Sequence, residues 1–195
     1  SNKSLERAKM KVVLAGSRKL SFIPEPVISL LRDHMEVGSI FLIGDAPGVD
    51  TTFQQFMVRN KYGSVEVFSS AGYIRNNVGN WPEHQIETTL KSKSNALHAF
   101  KDREMCKLAD LGIMIWDQES AGTLSNAIDL LEQGKTCLFY NAIEQELVRF
   151  ETIEELNKWL EFHREVADEA ISRLKRFRNR MKVGSKLDSI QSELF

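Results

Sequence analysis

The sequence predicts an α/β fold: a Rossmann-like parallel sheet of about five strands with helices on both faces, plus a C-terminal helical extension. Two observations support this fold class. Short, nearly continuous apolar runs alternate with segments of helical periodicity along residues 11–140, a pattern typical of buried parallel strands joined by crossover helices. The 195 residues are also 42% hydrophobic and 27% charged, which is ordinary for a globular domain and excludes disorder as the main state.

The first half of the chain contains three predicted strands and two helices. The first helix begins at Pro24 or Pro26, since proline suits a first helical turn, and Gly38 ends it. The second helix begins near Asp50, a residue type that caps helix N-termini. The strands are the β-branched apolar runs KVVLA at 11–15, SIFLI at 39–43 and SVEVF at 64–68.

Residues 96–140 repeat this alternation of strands and helices. Helical spacing of apolar residues predicts helices over about 96–108 and 124–132. Two further apolar runs, GIMIW at 112–116 and TCLFY at 136–140, are the fourth and fifth predicted strands.

We therefore assign residues 10–150 to one ligand-binding domain, 151–182 to an amphipathic helical segment and 183–195 to a polar tail. Thr152 and Glu155 form a capping-box pattern at the start of the helical segment. Its apolar residues recur in steps of three and four up to Met181. This stripe either packs back on the sheet domain or forms a dimer interface, which would make the protein a homo-oligomer. Residues 173–182 carry six basic residues and no acidic residue.

Charge and cysteine content limit the function classes. The formal net charge of −1 gives no overall attraction to nucleic acids or membranes. No apolar run approaches the roughly 18–20 residues of a membrane span, so no membrane partner is expected. Cys106 and Cys137 are too few for a disulfide framework or a four-ligand zinc site. We expect buried free thiols and a cytoplasmic protein.

Unusual polar clusters follow four of the predicted strands. Ligands bind parallel α/β sheets outside the carboxyl ends of their strands, where loops and helix N-termini converge. The clusters all fall at that edge, at residues 16–18, 44–50, 69–77 and 117–123. The sequence therefore predicts one ligand site there.

The first two clusters suit a phosphate and a ribose. Gly16 permits backbone amides to approach an anion, Ser17 adds a hydroxyl, and Arg18 offers a bidentate fork. This cluster does not match the GxGxxG fingerprint, so a dinucleotide-binding fold of that kind is not supported. Asp45 suits ribose hydroxyls. The bracketing residues Gly44, Gly48 and Asp50 either belong to the site or form a turn and helix cap.

The other two clusters offer a cation, an amide and hydroxyls. Arg75 and Asn76 follow the third strand and either contact the ligand or lie in a solvated loop. Ser120, Gly122 and Thr123 begin a helix directly after a strand, where amides and hydroxyls receive a phosphate. Helix capping alone would need only one of these hydroxyls.

Taken in order, the GSR, GDAPGVD, AGYIRNN and SAGT segments resemble the YspA-like branch of the SLOG superfamily. These Rossmann-like domains are related to the LONELY GUY phosphoribohydrolases and to DNA-processing protein A. The resemblance covers about residues 11–140 and implies a pocket for a nucleotide or nucleotide-derived ligand. The helical extension has no counterpart in it.

Comparison with the LONELY GUY enzymes places two substitutions at the expected catalytic pair. Met105 keeps the helix spacing of that family, but Lys101 stands where its arginine belongs. Asn126 stands where its glutamate belongs, and an amide cannot exchange a proton or neutralise an oxocarbenium ion. N-glycosidic hydrolysis would then need another carboxylate. The candidates at this edge are Asp45, Asp117 and Glu119.

Three functions remain open at this stage. The first is binding of a small nucleotide-type ligand, with or without N-glycosidic hydrolysis. The second is a non-catalytic nucleotide sensor that dimerises through the C-terminal helix, and the third is nucleic-acid binding through residues 173–182. No cofactor or resident metal is expected, although Asp45, Asp50 and Asp117 could hold magnesium together with a ligand phosphate.

Overall fold

The computed structural model describes residues 8–70, 72–86 and 95–194, with side chains from 95–97 and 180–194 left out of account. Within these ranges the chain forms seven strands and six helices. The strands are β1 (Lys11–Gly16), β2 (Ile40–Gly44), β3 (Val65–Ser70), β4 (Glu83–Ile86), β5 (Leu111–Trp116), β6 (Thr136–Asn141) and β7 (Glu146–Phe150). The helices are α1 (Glu25–Glu36), α2 (Val49–Arg59), α3 (Asn95–Leu108), α4 (Ala121–Glu132), α5 (Ile153–Phe162) and α6 (Arg164–Leu194).

All seven strands belong to one sheet in the order β4-β3-β2-β1-β5-β6-β7. The first six strands in that order are parallel, and β7 runs antiparallel to β6. The predicted Rossmann-like fold class is therefore confirmed. The chain builds outward from β1 through β4 and then returns to place β5 on the other side of β1. A crevice opens at this reversal, outside the carboxyl ends of β1 and β5.

The expected count of about five strands is too low, because both edge strands escaped prediction. Strand β4 has the sequence EHQI and alternates between exposed and half-buried residues. Strand β7 has the sequence ELVRF, of which only Phe150 is buried. Edge strands are solvated on one side and lack the continuous apolar run by which buried strands are recognised.

Helices cover both faces of the sheet, as a doubly wound fold requires. Helices α1 and α2 bury Val27, Leu31, Phe53 and Met57 against one face. Helices α3 to α6 cover the other face, where they pack against side chains of β5 and β6. Both cysteines are buried and unpaired, and burial raises the pKa of the Cys137 thiol to about 12.

The C-terminal extension packs on its own chain over the part that the structure describes. Helix α5 starts at Thr152, whose hydroxyl accepts a hydrogen bond from the Glu155 backbone N–H at 3.2 Å, so the predicted cap is present. His163 separates α5 from α6. The stripe residues Leu156, Leu160, Ala167, Ala170 and Leu174 are buried in the core beneath the two helices. The Met181 side chain lies outside the described part.

The start of α2 differs from the prediction in one respect: Gly48, not Asp50, occupies the N-cap position. Gly48 has φ +87, and a Cβ atom there would lie 2.0 Å from the Arg18 carbonyl oxygen. Close packing of two loops therefore demands glycine at the cap. Asp50 lies in the first turn, where its Oδ2 accepts the Ala46 N–H at 3.1 Å. In its charged form, the Asp50 carboxylate is stabilised there by the positive end of the helix dipole.

Among the described residues, no helix combines the length and apolar character needed to cross a membrane.

Candidate functional site

A cavity of about 630 Å³ lies at the carboxyl edge of the sheet, at the reversal between β1 and β5. Its walls come from the loops after β1, β2 and β5, from α3, and from the beginning of α4. One side of its rim belongs to α6. Seven of the predicted site residues line it: Gly16, Ser17, Arg18, Gly44, Asp50, Ser120 and Gly122.

The other five predicted residues do not line this cavity: Asp45, Gly48, Arg75, Asn76 and Thr123. They lie directly behind the lining residues and fix the loops that carry them. The predicted set therefore divides into residues that could touch a ligand and residues that support the walls.

Asp45 and Arg75 form the main support behind the β2 loop. The Arg75 guanidinium donates through Nη2 to Asp45 Oδ1 at 2.8 Å and through Nε to Oδ2 at 3.3 Å. The Arg75 backbone N–H also donates to Oδ2 at 2.9 Å. Burial opposes ionisation of Asp45, but these hydrogen bonds and the nearby Lys101 ammonium hold its pKa below the usual value. Asp45 is thus committed to a structural ion pair and is not presented to the cavity.

Asn76 and Gln54 extend this support to α2. The Asn76 side-chain amide donates to the Asp45 carbonyl oxygen at 2.9 Å. Buried Gln54 donates to the Gly44 carbonyl at 2.9 Å and the Asn76 carbonyl at 3.2 Å. The loop after β3 is therefore tied to the end of β2, which explains why polar residues cluster there without facing the cavity.

Asp50 and Lys101 meet across Gly44 inside the cavity. A Cβ atom on Gly44 would lie 2.4 Å from Asp50 Oδ2 and 3.0 Å from Lys101 Nζ, so this close approach requires glycine. Burial raises the pKa of Asp50 to about 6, with Lys101 opposing the rise and Asp102 adding to it. Asp50 is therefore a carboxyl group that can hold or release a proton near neutral pH.

Lys101 and Asn126, the two substitutions noted in the sequence, belong to one network. Lys101 is 2% exposed, and its Nζ lies 3.5 Å from Asp45 Oδ1 and 3.6 Å from Asp102 Oδ1. The Asn126 amide donates to Asp102 Oδ2 at 3.4 Å. Asp102 of α3 therefore places a carboxylate next to the Asn126 amide of α4. Sequence reasoning missed Asp102, since only the fold brings it next to Asn126.

The start of α4 is held by a set of short polar contacts. Ser120 is the N-cap, accepting the Thr123 N–H at 3.2 Å and the Thr123 hydroxyl at 2.9 Å. Asp117 Oδ1 accepts the backbone N–H groups of Glu119 and Ser120, both at 2.9 Å. The Ser17 hydroxyl accepts the Asp117 N–H at 3.1 Å, which joins this turn to the β1 loop. Ala121 and Gly122 of the first turn line the cavity, and backbone amides at this end of a helix have no intrahelical acceptor.

His98 lines the cavity as a neutral base. Burial, followed by the positive charges of Arg75, Lys101 and Arg18, lowers the pKa of His98 to about 4. Its Nδ1 lies 3.4 Å from Arg75 Nη2. Because the His98 imidazole is neutral, the positive charge of the cavity comes from the arginine and lysine side chains that line it.

Helix α6 adds Arg173, Arg176 and Phe177 to the cavity rim. The sequence indicated a basic run here but gave no reason to place it at the site. Only the packing of α6 on α3 and α4 does so. At the same rim Lys19 forms an ion pair with Glu119 at 2.8 Å.

Potential metal ligands converge at one place in the described chain, away from this cavity. Ligand atoms of Glu144, Glu146 and His163 lie within 4.8 Å of one another, on the β6–β7 turn, the start of β7 and the α5–α6 junction. Both glutamates are exposed, and exposed acidic groups commonly occur without a metal. Asp45, Asp50 and Asp117 do not converge in this way, so magnesium binding with a ligand phosphate stays a prediction.

No protein-family model matches the chain, and no curated protein sequence matches it. A solved structure of DNA processing protein A from Helicobacter pylori, described for its unique single-stranded DNA binding mode, is similar in fold. The TM-score is 0.53 at 19% sequence identity, over 86% of this chain and 81% of that chain. The protein thus has a Rossmann-type fold like that of DNA processing protein A.

Proposed function

We propose that the protein binds a nucleotide or nucleotide-derived ligand in the cavity at the carboxyl edge of its sheet. The observation that carries this proposal is the combination of Arg18 with the first turn of α4. Arg18 is exposed at the cavity, and it makes no ion pair with any residue that the structure describes. A free guanidinium beside a helix N-terminus is a site for a phosphate group.

The cavity has the size and polarity that such a ligand needs. Its volume of about 630 Å³ falls within the range of roughly 300–1,000 Å³ typical of small-molecule sites. Leu14, Ala15 and Met105 provide apolar lining for a base, and Asp50 and Asp102 provide acceptors for ribose hydroxyls. Asp45 was the predicted ribose partner, but its ion pair with Arg75 leaves this role to Asp50.

The YspA-like branch of the SLOG superfamily is the family we propose for the chain. Its four motifs occur in order at residues 16–18, 44–50, 71–77 and 120–123. Ala71 lies outside the described residues. The Rossmann-type fold shared with DNA processing protein A is consistent with this assignment, because the two groups are related in fold.

A thermal-shift panel tests ligand binding directly. AMP, ADP, ATP, NAD and ADP-ribose are added to the native chain, to Arg18→Ala and to Arg32→Ala, which removes the same charge from exposed α1. A ligand at about 100 times its Kd stabilises the native chain by about 2.7 kcal/mol. We expect the shift to be lost in Arg18→Ala and kept in Arg32→Ala. No shift with any compound, or an equal shift in all three chains, would refute the proposal.

Hydrolysis of the N-glycosidic bond is a second candidate, favoured by the raised pKa of Asp50. Protonated Asp50 would donate its proton to the leaving base, while Asp102 would take a proton from the attacking water. Free base and a ribose phosphate are then the products. Chromatography of a bound nucleotide after incubation detects free base; its absence with every bound nucleotide leaves binding without turnover.

Nucleic-acid binding is the other candidate, favoured by the fold shared with a protein that binds single-stranded DNA. Arg173 and Arg176 would then contact the DNA backbone. Fluorescence anisotropy with labelled oligothymidylate at several salt concentrations measures the number of phosphate contacts. Removing both arginines should reduce the salt slope by about 1.4 for a single strand. An affinity independent of salt would exclude this function.

A further inference from the structure

The basic face of α6 is the feature that the proposed phosphate site does not use. Arg173, Arg176 and Phe177 recur at helical spacing and all line the cavity rim. They belong to the helix that packs on α3 and α4. The rim therefore carries cations beyond the one that a single phosphate at α4 requires.

The position of this face is fixed by contacts on both sides of it. Leu174 is 8% exposed and packs in the core beneath α4. Arg178 donates through Nη1 to Ser125 Oγ at 2.9 Å and to Asp129 Oδ1 at 3.1 Å. Since Ser125 lies one turn from the start of α4, these contacts dock α6 beside the proposed phosphate site.

The two arginines at the rim differ from Lys101, which is buried between the carboxylates of Asp45 and Asp102. Lys19 at the same rim has the exposed partner Glu119, at 2.8 Å. Arg173 has only the exposed Glu169 on its own helix, at 2.6 Å. Arg176 has no ion-pair partner among the residues that the structure describes. Exposed pairs within a helix contribute little, so Arg173 can exchange Glu169 for a stronger anion at small cost.

We propose that Arg173 and Arg176 form an outer phosphate subsite, so that the protein selects nucleotides carrying a pyrophosphate group over nucleoside monophosphates. The inner phosphate lies at Arg18 and the first turn of α4, and the second phosphate extends to the α6 rim. This inference rests on the proposed nucleotide binding. It assigns a ligand-selecting role to the helical extension, which lies outside the nucleotide-binding domain predicted from the sequence.

Isothermal titration with AMP and ADP tests the subsite. One charge-assisted hydrogen bond is equivalent to about tenfold in Kd, so the native chain should bind ADP at least tenfold more tightly than AMP. Arg173→Ala/Arg176→Ala should remove that preference and keep the AMP affinity. Arg18→Ala should weaken both nucleotides. Lys175→Ala removes an adjacent charge that does not line the cavity and should leave both affinities unchanged.

The outcomes separate this inference from the proposed function. Equal affinities of the native chain for AMP and ADP, or an equal loss of both in the double variant, would refute the outer subsite and leave nucleotide binding standing. Absence of binding by all five compounds of the thermal-shift panel would refute both. Displacement of bound ADP by a much tighter-binding oligothymidylate, with that tighter binding lost in the double variant, would assign the two arginines to a nucleic acid and overturn the subsite. Since both arginines are exposed, the variants should fold, which circular dichroism checks.

Discussion

At the scale of single residues, the Asp45–Arg75 pair joins the loop after β3 to the loop after β2 behind the cavity wall. Asp45 is almost completely buried, with a side chain 2% exposed. Removing a partner from a buried pair leaves an uncompensated charge and costs about 3–5 kcal/mol. Lys101 remains as a second cation, so Arg75→Ala should cost about 3 kcal/mol, the low end of that range. Urea unfolding measures this loss.

Two variants test whether the loss of stability comes from breaking this ion pair or from the loss of a positive charge. Arg59→Ala removes an exposed cation at the end of α2 and should leave the free energy of unfolding within about 0.5 kcal/mol of the native value. Asp45→Asn combined with Arg75→Ala should recover part of the loss, because no carboxylate is then buried without its arginine. A loss below 1 kcal/mol for Arg75→Ala alone would contradict the structural role.

The pH dependence of stability should reveal Asp50 and His98 as opposing groups. The pKa of Asp50 is raised from 3.8 to about 6 in the folded protein, so the folded state binds more protons between those values. Its contribution is present below pH 3.8 and is lost as pH rises through about 6. The pKa of His98 is lowered from 6.5 to about 4. Its contribution is present above pH 6.5 and is lost as pH falls through about 4.

Chemical unfolding of variants between pH 4 and 6.5 separates the two groups. Relative to the native chain, Asp50→Asn should become more stable as pH rises, because the destabilising ionisation is gone. His98→Gln should become more stable as pH falls. Each slope is at most about 1.4 kcal/mol per pH unit and is reduced by partial exposure. Three parallel stability curves would show that neither group titrates as described.

At the scale of elements, the caps of α4 and α5 give a matched pair. Ser120 and Thr152 each accept a backbone N–H at 3.2 Å, and only Ser120 lines the cavity. Replacing either by alanine should lower stability by about 1 kcal/mol. Ser120→Ala should also weaken ADP binding, since Ser120 caps the first turn of α4, which belongs to the proposed inner phosphate site. Equal ADP affinity of the two variants in a titration would show that the Ser120 cap has no role in ligand binding.

Elements were predictable from sequence where one physical signal dominated. The buried strands were recognised because parallel strands covered on both faces need continuous apolar runs. Strands β4 and β7 escaped because an edge strand carries no such run. The cap of α2 was misassigned because loop packing against Arg18, invisible in the sequence, selects glycine at position 48. Thr152 was recognised because capping is a local interaction.

At the scale of the whole molecule, α5 and α6 complete the sheet domain. Trp159 lies with its ring centroid 5.8 Å from Trp116, 5.6 Å from Phe139 and 5.8 Å from Phe150. A chain ending at Phe150 would expose this aromatic cluster and should lose its cooperative thermal transition. A chain ending at Lys182 should keep it. A native transition in the shorter chain, followed by circular dichroism, would show that the extension is dispensable for folding.

The location of the cavity was predictable, but its lining residues were predictable only in part. Strand ends gather at one edge in any parallel sheet, so Gly16, Arg18 and Gly122 could be placed at the cavity from local sequence. Asp102 and Arg176 could not, because their positions depend on how α3 and α6 cross the sheet edge. Homo-oligomerisation also stays a prediction, which light scattering of the intact chain tests.

Amide chemical shifts during a titration with ADP test the central claim most directly. We predict that the Gly16, Gly44 and Gly122 amides shift on binding, since these glycines line the cavity. Gly63 and Gly134 precede β3 and β6, outside the cavity, and their amides should remain unchanged. Shifts at Gly63 or Gly134 with none at the cavity glycines, or no shift at any amide, would contradict a nucleotide site at the carboxyl edge of this sheet.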